Sequence, residues 1–390
     1  MKRKASRIVF TVLAISLGVG IVLALSFAGK ESKGPIDNLL TSAGTVVKEV
    51  EQNLIIEQRE VKRADKLEWF VPYKNNPALL KRPKLILMGA FDNRTKESFE
   101  AITALEDSLK TTFPLIQIYT AWGSKEEEHF PKLQVEAILE LGSLPVITWE
   151  PWLTDFDEEK FPSSKKPEER DKNGLADVAT GLYDSYIKQW ANDAKKIKKP
   201  IFLRVGHEMN DPYRYPWGPQ NNTAKDFIAA WQHIHQLFTT VGANNVIWIW
   251  SPHPAYGFFK DFYPGNAYVD YVGVGTLNYG TVANWSKWWS FKDIFGKFYN
   301  DLSSFGKPIM LTEFGSLSVG GNRGKWFEEA MSEIPKSYPA VKSLLFFHNG
   351  DDKTTTQQAL SWKIKDDINV KKAIISQVKL WPDSIKPSLK

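Results

Sequence analysis

Residues 183–210, YDSYIKQWANDAKKIKKPIFLRVGHEMN, decide the fold. The first half, Tyr183–Lys196, is amphipathic at helical spacing, and the second is a largely apolar run, Ile201–Asn210, ending beyond His207-Glu208. A helix with one apolar face, followed by a strand apolar on both faces, is half of a βαβ unit. The same succession recurs on either side. Apolar runs at Leu85–Phe91, Pro114–Trp122, Leu144–Trp152, Asn245–Ser251, Tyr268–Tyr279, Pro308–Gly315 and Val341–Asn349 alternate with long loops or helical stretches such as Ala224–Thr240. Continuous apolar strands alternating with helices imply a parallel sheet covered on both faces. Eight of them in about 265 residues imply an α/β chain folded as a closed (β/α)8 TIM barrel. A doubly wound open sheet would carry a Gly-rich phosphate turn after its first strand. Met88-Gly89-Ala90-Phe91 is not one.

Three segments precede or make up this pattern. Lys2, Arg3, Lys4 and Arg7 flank an uncharged apolar stretch, Ile8–Gly29. A positive flank before an apolar core is a secretory address. At 22 residues the stretch exceeds the ~7–15 of a usual signal core and approaches the ~20 that span a bilayer. Residues 1–29 are therefore either a signal peptide, cleaved after Ala28, or a retained transmembrane anchor. Both readings export the remainder, as a secreted protein or one held at the extracytoplasmic face. Residues 30–80 read as a stalk, with apolar residues at helical spacing over Ile36–Ile56, and residues 81–390 as the barrel.

Composition narrows the chemistry. With 43% hydrophobic and 24% charged residues, the 390-residue chain is neither disordered nor polytopic in a membrane. The absence of cysteine excludes a disulfide framework, a thiol nucleophile and a Cys-ligated zinc. The net charge of +5 comes from scattered lysines rather than a basic stripe, so no nucleic acid is expected. The 15 tryptophans are the outlier, and flat indole faces suit stacking on sugars.

Function in such a barrel concentrates where strands end. Those ends read Ala121-Trp122, Trp149-Glu150-Pro151-Trp152, His207-Glu208, Trp250-Ser251-Pro252-His253, Asn278-Tyr279, Glu313-Phe314-Gly315 and Phe347-His348-Asn349. Glu208 ends the fourth strand and Glu313 the seventh, nearly opposite in an eight-stranded barrel, so both can face one sugar. Two carboxyl groups about 5–5.5 Å apart are what retaining glycoside hydrolysis requires. His207-Glu208 also begins a zinc-peptidase motif, but that motif needs a second histidine at position 211, which is Asp. No metal and no cofactor are expected.

The segment Ile201–Gly218, IFLRVGHEMNDPYRYPWG, resembles the acid/base region of glycoside hydrolase family 26, approximately R-x-x-H-E-M-N-G-x-W-Y-P-W-G. The Tyr186–Lys199 helix, NNVIWIWSP at Asn244–Pro252, YPGNAYVDYVGV at Tyr263–Val274 and KPIMLTEFGS at Lys307–Ser316 are similar to the family in the same order, covering most of residues 85–365. The resemblance implies that Glu208 is the acid/base and Glu313 the nucleophile. It implies that His207 orients Glu208, that Arg204 is a supporting charge and that Tyr279 hydrogen-bonds the nucleophile. It points to Trp217 and Trp250 as sugar platforms. Trp122 and Trp149 fall on the same rim, and Phe347 and His348 replace a wall of the central sugar site. The chain departs from the pattern elsewhere too. The Gly after Asn210 is Asp211, and a Trp of the following loop is replaced by Tyr213 or Arg214. Trp149-Glu150-Pro151-Trp152 looks more like the family's mixed-linkage glucanases than its mannanases.

The expected function is a retaining endo-β-glycanase, a monomer acting on β-mannan or mixed-linkage β-glucan. A glycan-binding protein on a degenerate barrel and a transglycosylase, either linked to polysaccharide export, are the alternatives.

Overall fold

The computed structural model describes residues 63–386, apart from 97, 159–164, 283–286, 354 and 357. Eight strands form a closed, wholly parallel barrel in sequential order: β1 (Leu87–Phe91), β2 (Leu115–Ala121), β3 (Leu144–Glu150), β4 (Ile201–Val205), β5 (Val246–Trp250), β6 (Tyr271–Asn278), β7 (Ile309–Ser316) and β8 (Val341–Phe347). Closure comes from β1 against β8, with Leu87 opposite Ser343 and Phe91 opposite Phe347. Between β3 and β4 a short helix, Gly174–Ala179, precedes a longer one, Asp184–Ile197, and the helix between β4 and β5 spans Ala224–Val241. Thr223 and Asp226 start the last of these with a reciprocal capping box, and Gly242, at φ +83°, ends it in the left-handed conformation.

Alternation along each strand sorts its residues into two cores. Leu144 and Val146 of β3, Phe202 of β4 and Ile247 and Ile249 of β5 point into the barrel, where they meet Leu87, Leu115 and Met310. The residues between them, including Ile147, Trp149, Leu203, Trp248 and Trp250, point outward and pack under the helices.

The inner core is closed from below by residues that precede β1. Leu67, Phe70 and Leu80 are buried against the strand N-terminal ends. Arg63 is fixed beneath them, donating to Leu141 O at 2.8 Å and Ser143 Oγ at 2.6 Å and pairing with buried Glu106. Residues 63–80, placed in the stalk by sequence, thus pack as part of the barrel. The Ile8–Gly29 stretch and the Ile36–Ile56 spacer lie outside the described residues. Among the described residues no helix is long and apolar enough to cross a membrane.

Three tryptophans read from sequence as rim residues belong to the outer core instead. Trp149 sits on the outward face of β3, fully buried, stacked on Trp190 at 4.4 Å and packed on Trp122 at 4.6 Å between ring centroids. Trp250 faces outward from β5, its indole N–H donating to Phe262 O at 3.0 Å. Strand parity, not proximity to a strand end, decides their place. Trp149→Ala is therefore expected to lower the unfolding free energy by about 3–5 kcal/mol, the range for emptying a buried aromatic site. A urea titration reads this. A loss below about 0.5 kcal/mol, typical of a surface position, would contradict the assignment.

Candidate active site

The chain leaves β4 through two left-handed residues, Gly206 at φ +47° and Glu208 at φ +55°. Positive φ is uncommon for a residue with a side chain and costs of order 1–3 kcal/mol. The bend is held because Glu208 N donates to Ser251 O at 2.7 Å. It carries the Glu208 side chain over the barrel mouth.

Glu313 arrives there by a different device. Thr312 Oγ1 and Glu313 Oε1 both accept from Arg204, at 2.9 and 2.6 Å, so two successive residues of β7 reach inward. A regular strand cannot do this. Register shifts at Val274/Gly275 and at Leu311/Phe314 show that β7 is bulged against both neighbours, and bulges re-aim side chains in this way. Tyr119 Oη also donates to Glu313 Oε1, at 2.8 Å. Between the two carboxylates the wall is Gly275 of β6. A Cβ there would stand 3.3 Å from Glu208 Oε1 and 3.8 Å from Glu313 Oε2, so the two oxygens are no farther apart than the sum of those distances.

The carboxyls differ in charge. Burial pushes Glu208 up to about 7, helped by the Glu313 charge and opposed by Arg214, whose Nη1 lies 3.7 Å from Glu208 Oε2. Among the described residues no group hydrogen-bonds that oxygen. Burial acts on Glu313 too, but the charge and hydrogen bond of Arg204, with the hydrogen bond from Tyr119, outweigh it and hold the carboxyl below its ordinary value. The Glu208 carboxyl therefore keeps its proton well above the ordinary carboxylate range, while Glu313 is ionised.

A groove runs across this pair. On one side a cavity of about 320 Å³ is bounded by Glu208, Arg214, His253, Trp289 and Phe298. On the other, a cavity of about 390 Å³ is bounded by Phe91, Tyr119, Glu150, Trp152, Tyr215 and Phe347. Glu313, Arg214, Leu277 and Tyr279 border both. The second cavity holds a third carboxyl. Burial pushes Glu150 up to about 7 against a hydrogen bond from Trp152.

Of the residues singled out in the sequence, Glu208, Glu313, Arg204, His207, Tyr279 and Phe347 meet at this mouth. Several others, and some roles, are corrected. Trp122, Trp149 and Trp250 are in the outer core. Trp217 is buried beneath Tyr215, stacked on it at 4.6 Å, with its N–H donating to His207 O. His348 is buried with Nδ1 accepting from Ile364 N, so it turns away from the groove. His207 bonds Tyr215 Oη through Nε2 at 3.0 Å rather than orienting Glu208, and burial holds its ring neutral. The phenol that hydrogen-bonds Glu313 is that of Tyr119, whereas Tyr279 packs edge-on against Trp362. Glu150 and Trp152, at the end of the third strand, border the groove as their place on the rim suggests, and Trp289 does so from the loop after β6, whereas the sequence assigned no part in the site to Tyr119, Arg214 or Tyr215. Tyr119 and Glu150 share the inward parity of Leu115 and Leu144 on their strands. The others lie on loops, where no periodicity marks them.

The sequence model of glycosyl hydrolase family 26 matches residues 165–366, just over half the chain. Endoglucanase H of Acetivibrio thermocellus is 31% identical over 267 residues, covering 66% of this chain and 27% of that protein. A mannan endo-1,4-beta-mannosidase of Bacillus subtilis is 28% identical over 161 residues, covering 39% of this chain and 40% of the relative. The chain thus spans well under two thirds of either relative's length. Among solved structures, a family 26 beta-mannanase from Bacteroides ovatus shares the fold, with a TM-score of 0.56 at 16% identity over 77% of this chain and 90% of that one. The motif order, the barrel and the matched family model together place this chain in glycosyl hydrolase family 26.

Proposed function

We propose that the chain is a retaining, endo-acting β-glycanase that cleaves its polymer by double displacement. One observation carries this reading: two buried carboxyls over Gly275, in opposite protonation states, in a groove open on both sides of them. Two carboxyls that face one glycine this closely allow direct attack by one of them on the anomeric carbon. Glu208, protonated, gives its proton to the leaving glycosidic oxygen while the Glu313 carboxylate attacks the anomeric carbon. In the glycosyl ester Glu313 has lost its charge. The repulsion that kept Glu208 protonated falls with it, so Glu208 becomes the base that deprotonates the attacking water. The hydroxyl that this water leaves on the anomeric carbon has the starting configuration.

The substrate is a β-linked glucan or mannan. The match to the endoglucanase extends over 66% of the chain and the match to the mannosidase over 39%. That difference, with Glu150 and Trp152 in the groove, favours glucan. The Lys2–Arg7 flank and the Ile8–Gly29 stretch support export of the barrel. Fusing residues 1–40 to a phosphatase active only outside the cytoplasm tests this, and an inactive fusion would refute it.

Mixed-linkage glucan is expected to release reducing sugar faster than mannan, with the β-anomer appearing first by proton NMR. An α-anomer would show inversion and sink the mechanism. Glu313→Ala should lower kcat on the order of 10⁴-fold or more, and full activity in that variant would remove Glu313 from its role.

The pH profile follows from the two carboxyls. Rising pH deprotonates Glu208 near 7 and removes the acid, whereas falling pH must pass below the depressed value of Glu313 before the nucleophile is lost. A bell with its alkaline limb near 7 is expected for kcat/KM. A plateau extending to pH 9 would contradict it.

A further inference from the structure

The loops that follow β4 and β5 are fastened together beside Glu208. Asn210 Nδ2 donates to the carbonyls of His253 and Gly257, each at 2.9 Å, and His253 N donates to Asn210 Oδ1 at 2.7 Å. This clamp brings a further carboxylate to the acid/base. One oxygen each of Glu208 and Asp211 and one ring nitrogen of His253 lie within 4.8 Å of one another. Asp211 is buried, and its Oδ1 accepts from Tyr213 N at 2.8 Å, so it is held in place.

The grouping suits a proton better than a cation. His253 Nδ1 accepts from Ala255 N at 3.2 Å, which leaves the proton of the neutral ring on Nε2. Burial keeps that ring neutral, lowering it to about 4. The Arg214 guanidinium, 3.7 Å from Glu208, further opposes a cation.

We propose that Asp211, held against Glu208 beside neutral His253, is a positioning residue that adds to burial in keeping the Glu208 carboxyl protonated and so raises the alkaline limit of the reaction. This rests on Glu208 being the acid/base. The charged groups that face Glu208 divide evenly. Arg214 and Arg204 favour its carboxylate, while Glu313 and Asp211 disfavour it. Tyr215 and His253 face it uncharged. The two anions then have separate parts. The charge of Glu313 vanishes when the glycosyl ester forms, so it supplies the repulsion that switches. That of Asp211 persists through both steps and supplies the constant share.

The test is a carbon-13 NMR titration of the side-chain carboxyl of Glu208 in the substrate-free protein, assigned with Glu208→Gln. Asp211→Asn, which removes the charge and keeps the size, should lower the Glu208 midpoint by about one pH unit. The alkaline limb of kcat/KM should move down with it and the acid limb stay in place. Asp211→Gly, the residue the family pattern carries, is a second variant and should shift the midpoint in the same direction. An unmoved midpoint in either folded variant overturns the proposal, since a merely structural role would alter stability and leave the titration in place. Failure of the wild-type protein to cleave any glycan would instead count against the proposed function, and the titration would still decide the part played by Asp211.

Discussion

One buried guanidinium organises the barrel mouth. Arg204 rises from β4 and donates to Thr148 of β3, to Thr312 and Glu313 of β7 and to Tyr119 of β2. A fully buried cation is tolerable only with a charged partner and its donors satisfied, and Glu313 is that partner. The ion pair that makes Arg204 acceptable inside the barrel thus also keeps Glu313 ionised, as the proposed nucleophile must be. Glu208 is the contrast. It has a more distant cation at 3.7 Å and no hydrogen bond to Oε2 among the described residues, so burial prevails and the proton stays. Two carboxyls of the same residue type titrate in opposite directions because one receives two strong donors and the other receives none at that oxygen.

Most of this was legible in the sequence, because the strands obey an elementary rule. Seven of the eight apolar runs contain their observed strand and the run for β7 falls one residue short of it, at Ser316, and the two glutamates stand beyond or within strands four and seven. The same rule, applied one step further, separates cleft from core. On β3, Leu144, Val146, Thr148 and Glu150 share one face and Trp149 takes the other; on β5, Ile249 and Trp250 divide likewise. Reading tryptophans by nearness to a strand end, without parity, assigned the helix-facing indoles to the substrate. Parity itself fails at one place. Thr312 and Glu313 both face Arg204, which only the bulge in β7 allows, and a bulge leaves no mark in a run as apolar as IMLTEFGS.

What sequence could not supply lies on connections. Arg214 reaches Glu208 and stands over Tyr215 at 5.2 Å from a loop without periodicity, and its position depends on where that loop folds. Trp289 follows β6 in a stretch with three tryptophans, of which no spacing rule selects one. The base of the barrel was misjudged for a related reason. Leu67, Phe70 and Leu80 read as a spacer's apolar residues because the strand ends they cover lie far away in the chain, and only the closed barrel creates the surface that buries them.

The charges of the site also bind stability to catalysis. Glu208 and Glu150 hold protons up to about 7, against an ordinary 4.5. Through the interval between those values the unfolded chain has released protons that the folded one retains, so stability declines as pH rises across it. Glu313 runs the other way. Its folded value lies below the ordinary one, so its contribution is present above the ordinary value and is lost as pH falls through the depressed one. The two trends meet in mildly acidic solution, where Glu208 and Glu150 keep their protons and Glu313 keeps its charge. That is also the state that the proposed mechanism requires, so the proton it would need on Glu208 is one whose loss the fold itself resists.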